Sequence, residues 1–145
     1  MSKVIEIQPD KRFHVYFRLA VYATRKSMIT AIKDYFKEVP SYPLPDEKTM
    51  GMFCPMPCIE SKYLQAKCYP NMFGTMFINL EDVNTEVIAH ECAHAAFSRE
   101  FNIRHCNGDF SDDNMEEQEE FCYFLGRATK IVTETIKKYF KGVKL

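Results

Sequence analysis

The chain lacks an excess of charge of either sign: nineteen Lys and Arg against twenty Asp and Glu leave a formal net charge of −1. Without a basic surplus there is no long-range field to draw in phosphate backbones or anionic lipid. Nucleic acid and membrane surface are therefore not expected partners. The first residues, MSKVIEIQPD, lack the apolar core of a secretory leader. No window approaches the ~18 uncharged apolar residues of a membrane span. These absences predict a soluble, cytoplasmic protein. Internal repeats and low-complexity tracts are also missing. With 145 residues and 46% apolar content, one core and a single domain spanning 1–145 are expected. The six cysteines (54, 58, 68, 92, 106 and 122) come without an export signal, so they read as reduced thiols rather than as a disulfide framework. Cys54 and Cys58 in CPMPC lack the second Cys/His pair of a zinc knuckle. They read as small apolar residues in a proline-stiffened loop or edge strand.

What is present divides into readable segments. VIEIQ alternates, PDK interrupts it, and FHVYFRLAVY resumes in β-rich residues, which predicts two short strands or a strand running into a helix. From about Thr24 the spacing turns helical, with Met28, Ile29, Ile32, Tyr35, Phe36 and Val39 on one stripe. The prolines of PSYPLP stop that helix. Between 51 and 80, MGMFCPMPCI, KYLQAKCYP and GTMFINL are three β-leaning runs separated by turn residues, which fits a small sheet. A helix is expected from about Thr85 to Arg99, with Asp82, Asn84 or Thr85 as its N-cap. NIRHCNGDFSDDN reads as a connection. A last helix, from about Asn114 to Phe140, has Phe121, Phe124, Leu125, Ala128, Ile131, Val132 and Ile136 on its core face, with Lys137, Lys138 and Lys141 suiting its C-terminal end.

The chemistry lies in HECAH, residues 90–94, within the apolar stretch VIAHECAHAAF. At ~100° per residue, His90 and His94 fall ~40° apart on one helix face, so their imidazoles can share an ion. Glu91 stands ~100° round from His90, free to take a proton from water instead of binding metal. This is the physical content of the H-E-x-x-H signature, for which chance in this composition predicts about 0.01 occurrences. The rival is a polar pair on an ordinary core helix.

A catalytic zinc usually takes three protein ligands and keeps an open position. The metzincin continuation is ruled out, because Phe97 and Glu100 stand where it needs Gly and His. Candidates are His105 and the glutamates of MEEQEEF: Glu116, Glu117, Glu119 and Glu120. Most of these acids suit a solvated helix start. Glu119 differs in sharing a stripe with the small residues Cys122, Gly126 and Thr129, while Ala89, Ala93 and Ala96 surround HECAH. The expectation is that the two small faces meet and deliver Glu119 to the ion.

HECAHAAF followed by E119-x-x-C-Y-x-L-G-R resembles gluzincin-type zinc metallopeptidases, in particular short phage-encoded ones in which HExxHAA precedes E-x-x-A-Y-x-L-G-R. It is more distantly similar to the ImmA/IrrE family. The resemblance covers roughly residues 72 to 132. It implies one Zn2+ held by His90, His94 and Glu119, Glu91 as general base, and Tyr123 as a residue behind the ligands. Cys122 departs from the family's Ala, and adjacent Glu120 competes with Glu119 for the ligand role. The resemblance also implies an α+β, minimal zincin-like domain: a small, mostly antiparallel sheet packed on an N-terminal helix, the HExxH helix and a C-terminal ligand helix. GTMFINL would be the edge strand that receives an extended substrate.

The leading expectation is a hydrolase, a zinc metalloprotease cutting a peptide or protein substrate by a zinc-activated water, with Tyr123 or His105 helping to stabilise the oxyanion. If phage-encoded, it would act in the host cytoplasm. One alternative, resembling the SprT-like proteases, makes His105 the third ligand. Another is a catalytically silent metal-binding phage factor that binds a host protein. No feature sets an oligomeric state.

Overall fold

The computed structural model describes residues 2–10, 15–37, 44–55, 72–107 and 115–145, with side chains for 2–9, 15–37, 44–55, 72–99 and 119–145. The first elements are strands β1 (Ser2–Asp10) and β2 (Val15–Tyr22), paired antiparallel from Ser2 opposite Tyr22 to Ile7 opposite Phe17. Of the two sequence readings for this region, two strands is the one found. Phe17, Leu19 and Val21 alternate onto one sheet face and Ala20 onto the other.

Helix α1 (Arg25–Tyr35) follows at once. Thr24 starts it with a reciprocal capping box: its hydroxyl accepts from the Ser27 amide while the Ser27 side chain answers the Thr24 backbone. Met28, Ile32 and Phe36 bury against Ala20, Cys54 and Phe77 on one face of the sheet. Strand β3 (Gly51–Pro55) and strand β4 (Met72–Asn79) are the first and third of the expected β runs. The middle run, KYLQAKCYP, lies outside the described residues, as do Cys58 and Cys68.

The strand order is β1-β2-β4-β3, with β1/β2 and β3/β4 antiparallel and β2/β4 parallel. The architecture is thus α+β with a four-stranded mixed sheet that is mostly antiparallel, as expected: two of the three pairings are antiparallel, and the parallel one joins the two central strands. GTMFINL is not an edge. It belongs to β4, which has a partner on each side and is buried at all eight positions. A strand apolar on both faces gains most where both faces are covered, and that is the middle of the sheet. The terminal strand on this side, among the described residues, is β3.

Helix α2 (Thr85–Asn107) runs eight residues beyond the expected Arg99 into the supposed connection. From Phe97 to Asn107 there is neither Gly nor Pro to stop it; the first such residue is Gly108. Asn84 is the N-cap, its Oδ1 accepting from the Val87 amide at 2.9 Å. Asp82, another candidate cap, pairs instead with Arg25 at the start of α1, accepting from its Nε at 2.6 Å. Helix α3 (Met115–Tyr139) closes the described chain. Helices α2 and α3 cover the opposite sheet face from α1, burying Ile88, Cys92, Ala95, Ala96, Phe124, Ala128, Val132 and Ile136 against Phe17, Leu19, Phe53 and Met76. No described helix is long and apolar enough to cross a membrane.

Candidate metal-binding and catalytic site

The buried stripe of α2 is Val87, Ile88, Cys92, Ala95 and Ala96. A helix that packs on one side only leaves its other side to solvent, and His90 and His94 lie there, exposed. The VIAHECAHAAF stretch is therefore apolar along one stripe, and its histidines escape the desolvation that a buried helix would impose. Their Nε2 atoms converge to 3.2 Å, with ring centroids 4.9 Å apart. Without metal, a single Nε2 proton shared between the rings satisfies that contact.

The same separation suits a common ion. Two imidazole nitrogens ~2.0–2.1 Å from one zinc and 3.2 Å from each other subtend about 100°, close to the tetrahedral ~109°. On the chemistry of its donors the pair fits zinc. Among the described residues, no three His, Cys, Asp or Glu side chains gather as a ligand set.

Glu91 stands ~100° round the helix from His90 and ~60° from His94, on the flank between the exposed pair and the buried stripe. It is 5% exposed, and its Oε2 accepts a 2.6 Å hydrogen bond from the Phe53 amide of β3. Burial raises its carboxyl above the ordinary value, against the opposing effects of the Phe53 amide and of the His90 and His94 charges. Close passage of the strand is possible because position 51 is glycine: a Cβ there would lie 3.0 Å from Val87 Cγ1 and 3.2 Å from Glu91 Cγ. Two thiols flank this carboxylate. Cys92 is pushed up to about 12, by burial first and by the Glu91 charge, against a hydrogen bond with Thr129. Burial and then Glu91 carry the Cys54 thiol well above its usual range.

Helix α3 meets α2 differently from the small-face expectation. Phe97 packs on Phe121 with centroids 4.8 Å apart, the Arg99 guanidinium lies 5.1 Å over the Phe124 ring, and Cys92 meets Thr129. Gly126 and Cys122 are exposed, and a Cβ on Gly126 would touch nothing within 4 Å. The expected stripe thus reaches α2 only at Thr129, because the large apolar residues of α3 bury more surface and claim the interface. Glu119 is exposed on the outer side of α3, where it lines an open groove of about 380 Å³ with Cys122, Tyr123, Gly126, Arg127 and Lys130. It stands two residues before Phe121 on α3. Tyr123 is 60% exposed, with the Arg127 guanidinium 5.7 Å from its ring. Glu120 is half-buried.

The side chains of His105, Glu116 and Glu117 lie outside the described ones. The backbone of His105 belongs to α2, eleven residues past His94 on one continuous helix. That places it about three turns, or ~16 Å, along the axis, too far for both to reach one ion.

Sequence reasoning missed the Phe53 amide and Gly51. A backbone donor has no residue-type signature, and a glycine in a strand announces close approach without saying to what. Comparison with family models, with curated proteins and with solved structures finds no match.

Proposed function

We propose that this chain is a zinc-dependent metallopeptidase in which His90 and His94 hold the ion and Glu91 is the general base. The observation that carries this reading is the 3.2 Å approach of the two Nε2 atoms with the Glu91 carboxyl between them in sequence. A bound zinc would polarise a peptide carbonyl and bring the pKa of water towards ~7. Glu91 takes a proton from the attacking water and passes it to the leaving amine. Its raised pKa brings a carboxylate nearer neutrality, where proton transfer in both directions is efficient.

For the third ligand we assign Glu119. The support is the sequence motif E119-x-x-C-Y-x-L-G-R and not a distance; Glu120 is its neighbour, and His105 is disfavoured by the length of α2. Alanine at Glu119, Glu120 and His105, each followed by metal analysis, decides among them: the residue whose loss leaves zinc at one per chain is not a ligand. Tyr123 is the residue we assign to help the oxyanion, and its alanine variant should lower turnover without releasing metal; His105, about three turns along α2 from His94, is too distant for that role.

The decisive variant is Glu91→Gln. Zinc content should stay near one per chain while hydrolysis of an unfolded protein substrate falls about 100-fold to 10,000-fold. Retained hydrolysis sinks the mechanism. A catalytically silent metal-binding factor that binds a host protein is a second reading, favoured by the engagement of Glu91 with the Phe53 amide. It gains if the zinc-loaded protein cleaves nothing.

A further inference from the structure

Strand β3 pairs with β4 through Gly51 opposite Ile78, Met52 opposite Phe77, Phe53 opposite Met76, Cys54 opposite Thr75 and Pro55 opposite Gly74. In an antiparallel pair, residues alternate between those that exchange hydrogen bonds with the partner and those whose amides point away. Pro55 has no amide to give β4, and Phe53 shares its parity. The Phe53 amide accordingly faces away from β4, towards the side of β3 where no described strand lies. An amide in that position is what an incoming extended chain uses to add itself to a sheet. Here it is already taken, at 2.6 Å, by the carboxylate of Glu91, 38 residues away. Gly51 leaves the room that lets this carboxylate lie along the strand.

We infer that Glu91 is a displaceable latch on the edge of β3 that no described strand covers: its carboxylate holds the Phe53 amide until a backbone carbonyl of an extended peptide takes that amide, which frees Glu91 beside the histidine pair. The ligand class is an unstructured or β-prone peptide segment, recognised by its main chain. What the freed carboxylate then does rests on the metallopeptidase reading; the exchange itself does not. The latch keeps the base occupied until a peptide is present, so water activation is coupled to substrate backbone binding. It also satisfies an edge donor that would otherwise invite pairing between copies of the chain.

The probe is the capped hexapeptide acetyl-Thr-Val-Thr-Val-Thr-Val-amide, with a version N-methylated at every residue as the control, whose methyl groups keep a strand off both of its edges. Both are titrated into the full chain, and binding is read from amide resonances in wild type, Glu91→Gln and Glu91→Ala. The plain peptide should shift the Phe53 resonance. Its affinity should rise from wild type to Gln to Ala, with Ala about tenfold tighter or more, because the competing charged acceptor is gone. The N-methylated peptide should leave Phe53 unmoved. Equal affinity across the variants, or a Phe53 resonance indifferent to the plain peptide, overturns the latch. If Glu91→Ala does not fold, wild type against Gln reads the same order, since Gln keeps a weaker acceptor in place. Turnover plays no part in these readings. A chain that binds in this order and cleaves nothing loses the peptidase reading and keeps the latch; one that cleaves with unchanged affinities does the reverse.

Discussion

Gly74 has no room for a side chain: a Cβ there would lie 2.4 Å from Phe53 Cζ and 2.7 Å from the Cys54 carbonyl oxygen. The β2–β4 register slips nearby, between Tyr16/Met72 and Arg18/Thr75, so β4 carries one residue more than its partner. That irregularity lets Phe73 and Met76 both join the core beneath α2 and α3. Gly74→Ala should cost about 1–3 kcal/mol, seen as a lower urea midpoint at unchanged slope, because a backbone oxygen cannot step aside as a side chain could. The cysteines separate by environment in the same residue-level way. Cys54 and Cys92 are buried free thiols with raised pKa, whereas Cys122 is free and exposed. Brief alkylation of the native protein near pH 8, read by peptide mass, should modify Cys122 and spare Cys54 and Cys92 until the chain is unfolded. Rapid native labelling of Cys92 would contradict the packing drawn around Glu91.

At the level of elements, α2 carries the site and its start is the weak point that can be tested. Asn84 satisfies the Val87 amide one turn before His90, and its own amide reaches the Asp82 carbonyl at 3.2 Å. Asn84→Ala should cost about 1 kcal/mol by thermal or urea unfolding. Alanine at exposed Glu86, in the same first turn, should cost less, since it removes only a favourable charge at the helix N-terminus. Helix α2 depends on packing more than on amphipathicity, because its length is polar and apolar by turns while its alanines and Ile88 seat it on the sheet. Helix α3 is the opposite case, with a regular apolar stripe from Phe121 to Ile136 that was legible residue by residue.

Across the whole molecule, the two faces of the sheet are joined outside the core by Arg25 and Asp82. Arg25 belongs to α1 on one face, and Asp82 to the turn that leads from β4 into α2 on the other. The Arg25 guanidinium holds the Asp82 carboxyl below its usual range, against the opposing effect of burial and with further help from the Asn79 side chain. A carboxyl lowered on folding contributes stability above its unfolded pKa, and that contribution disappears as pH falls through the folded value. The chain should therefore lose stability on acidification below about pH 4, and Asp82→Asn should remove part of that loss. The measurement is urea stability at pH 7 and pH 3 for both proteins. An identical acid slope in the variant would mean that the pair contributes nothing. Further joining comes from Asn79, whose Nδ2 donates to the Met50 carbonyl at 2.8 Å and whose Oδ1 accepts from the Asp82 amide at 3.0 Å.

Sequence alone determined the features that repeat over a few residues. The 3.6-residue period marked α1 and the core face of α3, the two-residue period marked β1, and spacing by four brought His90 and His94 onto one side of a helix. Tertiary structure alone decided what those elements meet: β4 at the centre of the sheet instead of its edge, α3 turned so that Phe121 and Phe124 face α2 while Gly126 faces solvent, and the Glu91 carboxylate bonded to the Phe53 amide. The reason is one of range. Periodicity is written in neighbouring residues, whereas a strand's neighbours and a helix's rotation are settled by which arrangement buries the most apolar surface across the whole fold.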